Sequence, residues 1–138
     1  MTATRGAKIK QPPRLEKEIA ADIRNYLQAC YHYEPIRCVS GAVRSIRMGQ
    51  AKPEPANPPG YPDWLFIRPD RRQRPVGGTV LPGKLYIEVK QPGKRPTIIQ
   101  GLQLQRLRKD GFVADWFDGF RAGEGRKPFM VWWEELLA

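Results

Sequence analysis

The stretch Leu85-Tyr86-Ile87-Glu88-Val89-Lys90 decides the reading of this chain. Strand alternation places Leu85, Ile87 and Val89 on one face and Tyr86, Glu88 and Lys90 on the other. An acid and a lysine inside an apolar segment are costly unless they are paired or bind a metal, because a buried unpaired charge forfeits its hydration. A second short apolar run, Trp64-Leu65-Phe66-Ile67, has Asp63 at its mouth, closing Gly60-Tyr61-Pro62-Asp63. The two runs predict a hairpin. If Ile67 pairs with Lys84, Asp63 falls opposite Glu88, with Cβ atoms about 5 Å apart.

Two carboxylates beside a lysine form a hard-oxygen site of the kind Mg²⁺ takes, with one or two carboxylates completed by water and substrate phosphate. Mn²⁺ is expected to substitute. Asp63 and Glu88 are the candidate metal ligands, with the main-chain carbonyl of Val89 as a third. Lys90, on the same face as Glu88, is placed to orient an attacking water and to stabilise charge on a phosphoryl group. The bland alternative is an exposed Glu–Lys cross-strand pair, with Asp63 a turn residue after Pro62.

Working outward, Leu15, Ile19, Ile23, Tyr26, Leu27 and Cys30 recur at helical spacing, predicting a helix from Arg14 to about Tyr31 with Cys30 on its buried stripe. Residues 34–48 read as strand and turn. Gly49 to Pro62 carries five prolines and reads as a stiff loop that delivers Asp63. Pro69 to Gly83 is a long basic excursion between the two hairpin strands. Thr97-x-x-Gln100 is a capping box opening a helix that runs to about Asp110 and stops at Gly111. Phe112–Phe117 reads as a strand, 119–127 as a Gly-rich loop, and Phe129–Leu137 as a strand or short helix. Residues 1–12 read as a flexible basic arm and 13–138 as one domain, giving an α/β fold with a small mixed sheet flanked by helices.

The 138 residues are 41% hydrophobic and 28% charged, as in ordinary globular proteins, but the formal net charge is +10. That excess favours an anionic partner, nucleic acid above all. Arg44, Arg47, Arg71, Arg72, Arg74, Lys94 and Arg95 flank the acidic elements and are the candidate DNA contacts, drawing a phosphodiester toward carboxylates that repel it. Two cysteines, Cys30 and Cys38, and a single histidine, His32, disfavour zinc and point to a reducing interior. His32 reads as a surface or core residue, and Trp132 and Trp133 as core or interface residues. No run of 18 apolar residues and no apolar leader occurs, so membrane spanning and secretion are disfavoured. An anionic membrane surface is the weaker partner, since no basic amphipathic helix with an aromatic face occurs, and no organic cofactor is called for.

The ordered set Gly60-x-Pro62-Asp63, Tyr86-Ile87-Glu88-Val89-Lys90 and Thr97-x-x-Gln100 resembles the PD-(D/E)XK nucleases, and within them the virus-type replication-repair nuclease domain in its short standalone phage form. The likeness runs from Glu16-x-x-Ile19-x-x-x-Ile23-x-x-Tyr26-Leu27 to Leu107-x-x-x-Gly111. It implies a restriction-endonuclease-like core with Asp63 and Glu88 as metal ligands and Lys90 as the catalytic lysine. Gln100 matches the glutamine of the following helix. Glu16, or Glu18 from the same Glu-x-Glu, matches the acid of the first helix. The resemblance further implies a Mg²⁺-dependent, structure-selective DNA endonuclease, a homodimer resolving four-way (Holliday) junctions in the cytoplasm of a bacterial host, in a phage or prophage setting. A flap, nicking or restriction-type nuclease, or a non-catalytic nucleic-acid-binding accessory protein, stand as alternatives.

Overall fold

A computed structural model describes residues 15–38, 58–68 and 80–138 in full, and the backbone of 42–44 and 53–55. In chain order the elements are α1 (Glu16–Tyr31), β1 (Glu34–Arg37), β2 (Ala42–Arg44), β3 (Pro53–Pro55), β4 (Trp64–Ile67), β5 (Lys84–Val89), α2 (Ile98–Lys109), β6 (Val113–Phe117) and α3 (Phe129–Leu137). Four strands form one mixed sheet in the order β1-β4-β5-β6. β1 and β5 run antiparallel to β4, and β6 runs parallel to β5 through the α2 crossover. The expected α/β class and small mixed sheet are observed. The 1–12 arm lies outside the described residues.

Alternation in β5 divides the core as its sequence dictates. Leu85, Ile87 and Val89 face a cluster with Ile19, Ile23 and Leu27 of α1 and Phe129 and Trp133 of α3. Tyr86 faces the other way, packing with Leu104 and Leu107 of α2 and Ala114 of β6. Trp133 is fully buried and Trp132 packs partly against the same core, as expected. Residues 129–137, open between strand and helix in the sequence, are helical.

Two expectations need correction. Cys30 is exposed, although it lies on the α1 stripe. It sits in the last turn, where the Tyr31 ring meets Trp133 at 5.1 Å instead, and the helix ends at His32 in the left-handed conformation (φ 61°). The proline-rich segment is not wholly a loop, because Pro53–Pro55 pairs with Ala42–Arg44 in a separate two-stranded sheet. A proline lacks the ladder donor but is tolerated in an edge strand, and both strands of such a pair are edges.

The α2 boundaries follow local chemistry. Thr97 Oγ1 accepts from the Gln100 amide at 3.2 Å and Gln100 Oε1 from the Thr97 amide at 2.8 Å, a complete capping box. Gly111 follows the helix at φ 93°, as a C′ glycine does.

A paired-carboxylate candidate active site at the end of β5

The β4–β5 register pairs Ile67 with Lys84 and Trp64 with Ile87, the pairing expected from sequence. One step further it sets Asp63 across from Glu88. The Asp63 carbonyl accepts from the Cys38 amide at 2.7 Å, which ties this turn to the end of β1. Lys90 donates its amide to the Phe117 carbonyl at 2.9 Å, across to β6. Because successive residues of a strand point their main-chain groups to opposite sides, the Val89 carbonyl aims back toward the Asp63 side. The residue that would complete its ladder there is Pro62, which has no N–H. Pro62 therefore ends the pairing and leaves the Val89 carbonyl without a ladder donor beside the two acids.

Glu88 is only 1% exposed, which removes the exposed-pair alternative. Its two oxygens differ. Oε2 accepts from Gln100 Nε2 at 3.2 Å and lies 3.5 Å from Lys90 Nζ. Oε1 is buried with no hydrogen-bond partner among the described residues. Burial raises the Glu88 pKa, the Asp63 carboxylate raises it further, and Lys90 offsets part of this, leaving it pushed up to about 8. A cation would relieve both the orphaned oxygen and the repulsion between the carboxylates.

Gln100 thus caps its own helix and holds Glu88 with the same amide. The two acids at the start of α1 differ in their surroundings. Glu18 is engaged at the start of α1, where its carboxylate accepts the Leu15 amide at 3.0 Å. Glu16 instead lines a cavity of about 230 Å³ with Asp63, Val89, Arg24 and Arg37. It stands at the rim, and among the described residues no three Asp, Glu, His or Cys converge on one point. The available donors are Asp63, Glu88 and the Val89 carbonyl, which fit the one or two carboxylates that Mg²⁺ uses alongside water and phosphate.

Of the predicted DNA contacts, Lys94 and Arg95 are exposed in the turn after β5. Arg44 pairs through its backbone with Pro53, and Arg47, Arg71, Arg72 and Arg74 lie outside the described residues. Sequence reasoning missed Arg24 and Arg37, whose guanidinium carbons lie 5.7 and 5.3 Å from the Trp64 ring centre, at the wall of the Glu16–Asp63 cavity. Trp64 immediately after Asp63 was the available signal, since an indole face is a good seat for arginine.

It also missed Asp118, which is fully buried and accepts from the amides of Gly93 (2.9 Å), Arg126 (3.0 Å) and Lys127 (2.7 Å). Burial alone would raise its pKa, but these amides outweigh that and lower it. The Asp118 carboxylate thereby joins the turn after the Glu88–Lys90 strand to the loop before α3. Among the described residues no helix is long and apolar enough to cross a membrane. Compared with protein-family models, curated proteins and solved structures, the chain matches none.

Proposed function

We propose that this chain is a metal-dependent DNA endonuclease that hydrolyses a phosphodiester at the Asp63–Glu88–Lys90 site. The observation that carries this reading is the state of Glu88: buried beside Asp63, with one oxygen that no donor among the described residues satisfies and the other held by Lys90 and Gln100. A purely structural ion pair gives a buried carboxylate donors on both oxygens. The motif order around Gly60-x-Pro62-Asp63 and Glu88-Val89-Lys90 supports the same conclusion.

Asp63, Glu88 and the Val89 carbonyl would hold Mg²⁺ or Mn²⁺. The ion supplies Lewis-acid stabilisation of the phosphoryl oxygens and a more acidic water. Lys90, 15% exposed in its side chain, orients the attacking water and stabilises negative charge as the P–O bond breaks. Gln100 fixes the Glu88 rotamer. Arg24 and Arg37 offset carboxylate repulsion as the DNA backbone approaches. By resemblance, the substrate is branched DNA, four-way junctions first, and the acting species is a homodimer whose two sites meet symmetric strands.

The test is cleavage of end-labelled four-way junction, flap and linear duplex in Mg²⁺ and in Mn²⁺. Junction cutting that is lost in EDTA and falls at least about a hundredfold in Lys90→Ala, with unchanged folding, is the expected result. A Lys90→Ala protein that cuts at the parent rate removes the catalytic assignment.

A further inference from the structure

On the β6 side of Glu88 lies a larger cavity of about 490 Å³, within the range of small-ligand sites. Trp116, with the Lys127 ammonium 5.3 Å from its ring centre, forms most of the apolar wall over the buried Leu104, and Arg95, Arg108, Arg126 and Lys127 supply the charge. Among the described residues no carboxylate lines it. Arg108 and Lys127 both pair with Asp115, whereas the side chains of Arg95 and Arg126 have no partner among the described residues. Trp116 is the register partner of Glu88, and Gly101 of the lining follows Gln100, so the cavity adjoins the carboxylate site.

The two unpartnered arginines are positioned by one buried group. Asp118 accepts the Arg126 amide directly, and through the Gly93 amide it pins the turn that presents Arg95. Both cations are therefore held at the mouth by backbone anchored in the core.

We infer that this cavity takes one unpaired nucleotide of the DNA strand, with a phosphate between Arg95 and Arg126 and the base against Trp116, where the flexible Lys127 side chain gives way. The charge suits a phosphodiester, and the recessed apolar wall suits a base that has left the stack. In a duplex the base faces are covered by their neighbours and cannot reach such a wall. The identity of the strand rests on the nuclease reading. The subsite adds to it a preference for substrates that offer an unpaired nucleotide beside the scissile phosphate.

The experiment is binding of a short fluorescein-labelled oligothymidylate by anisotropy in EDTA, where nothing is cut, across a salt series. Arg95→Gln/Arg126→Gln alters two exposed side chains and should leave folding intact. Its slope of log affinity against log salt is expected to fall by about 0.7 per arginine. Trp116→Leu is expected to weaken binding between about fivefold and about a hundredfold, with Trp116→Phe close to the parent. Parent-like affinity and slope in the double arginine variant overturn the subsite. Equal binding of a blunt duplex overturns the unpaired-base assignment, and thymidine monophosphate binding as tightly as the oligomer overturns the strand assignment. If the parent cuts no DNA in either metal, the nuclease reading fails while the binding results stand, so the two failures are separable.

Discussion

Gln100 holds Glu88 by one oxygen only: its Nε2 donates to Oε2 at 3.2 Å, while the buried Oε1 has no donor among the described residues. The same side chain accepts the Thr97 amide at the start of α2. Loss of a cap costs about 1 kcal/mol. Thr97→Ala should therefore lower stability by about that much in urea melts, and Gln100→Ala by more, because it also strips a donor from the buried Glu88. Only Gln100→Ala should also weaken Mg²⁺-dependent stabilisation and cleavage; equal functional losses in both variants would reduce Gln100 to a cap.

Glu88 binds its proton more tightly folded than unfolded, since its folded pKa of about 8 lies above the ordinary carboxylate value. The neutral form is compatible with burial, so this contribution is complete below the unfolded pKa and is lost as pH rises through about 8. Metal-free protein should lose on the order of a few kcal/mol between about pH 4.5 and pH 8 from this residue. Glu88→Gln should remove that part of the slope and melt higher than the parent at pH 8.5 in EDTA. Added Mg²⁺ should raise the parent's melting temperature more at pH 8 than at pH 6, because protons compete for the same carboxylate, and should not raise that of Glu88→Gln. A flat parent profile over that range would contradict the buried-acid geometry.

Gly60 adopts φ 80°, and a Cβ there would run into the side chain and main chain of Ile99. The close approach sets the Pro62–Asp63 turn against the first turn of α2, where Gln100 sits. Gly60→Ala combines a strained backbone with a steric clash and should cost about 1–3 kcal/mol. Because the displaced parts are the turn and the helix that carry site residues, cleavage should fall more than the melting temperature implies. An alanine variant with parent stability would show that the turn can slide away freely.

Asp118 has the opposite pH signature to Glu88. Its pKa is lowered by main-chain amides that outweigh its burial, so its contribution is present above the unfolded pKa and disappears as pH falls through the folded one. Asp118→Asn keeps the shape but turns an NH₂ toward at least one donor and should cost about 1–3 kcal/mol at pH 7. The deficit should shrink below about pH 4, where the parent's own carboxylate takes up protons. A constant deficit down to pH 2 would mean that the charge is immaterial.

How much of this was legible depended on whether the signal was local. The faces of β5, the Thr97–Gln100 box and the Gly111 stop are fixed by neighbouring residues, and period-two and capping rules read them correctly, whereas the pairing of Ile67 with Lys84 entered as an assumption that the sheet bears out. Alternation alone also placed Glu88 and Lys90 on one face, although not the depth of Glu88, which depends on α2 covering it. Cys30 fits the helical stripe but falls where Tyr31 covers the core, and nothing in α1 announces that. The Pro53–Pro55 strand was hidden because its composition opposes strands everywhere except at edges. Arg24 had only Trp64 as a signal, and Asp118 and Arg126 meet through an irregular loop and the Gly93 turn, for which no periodic or capping rule exists.

The parallel pairing of β5 with β6 has a bearing on when the chain becomes chemically competent. Glu88 is enclosed only after the chain has crossed through α2 and laid Trp116 and Phe117 alongside it. Contacts of that sequence separation carry a larger loop-closure cost than local ones. A nascent or partly assembled chain therefore carries an ordinary, ionised glutamate that positions nothing. On the proposed reading, the cutting activity is withheld from folding intermediates and arrives together with the finished sheet.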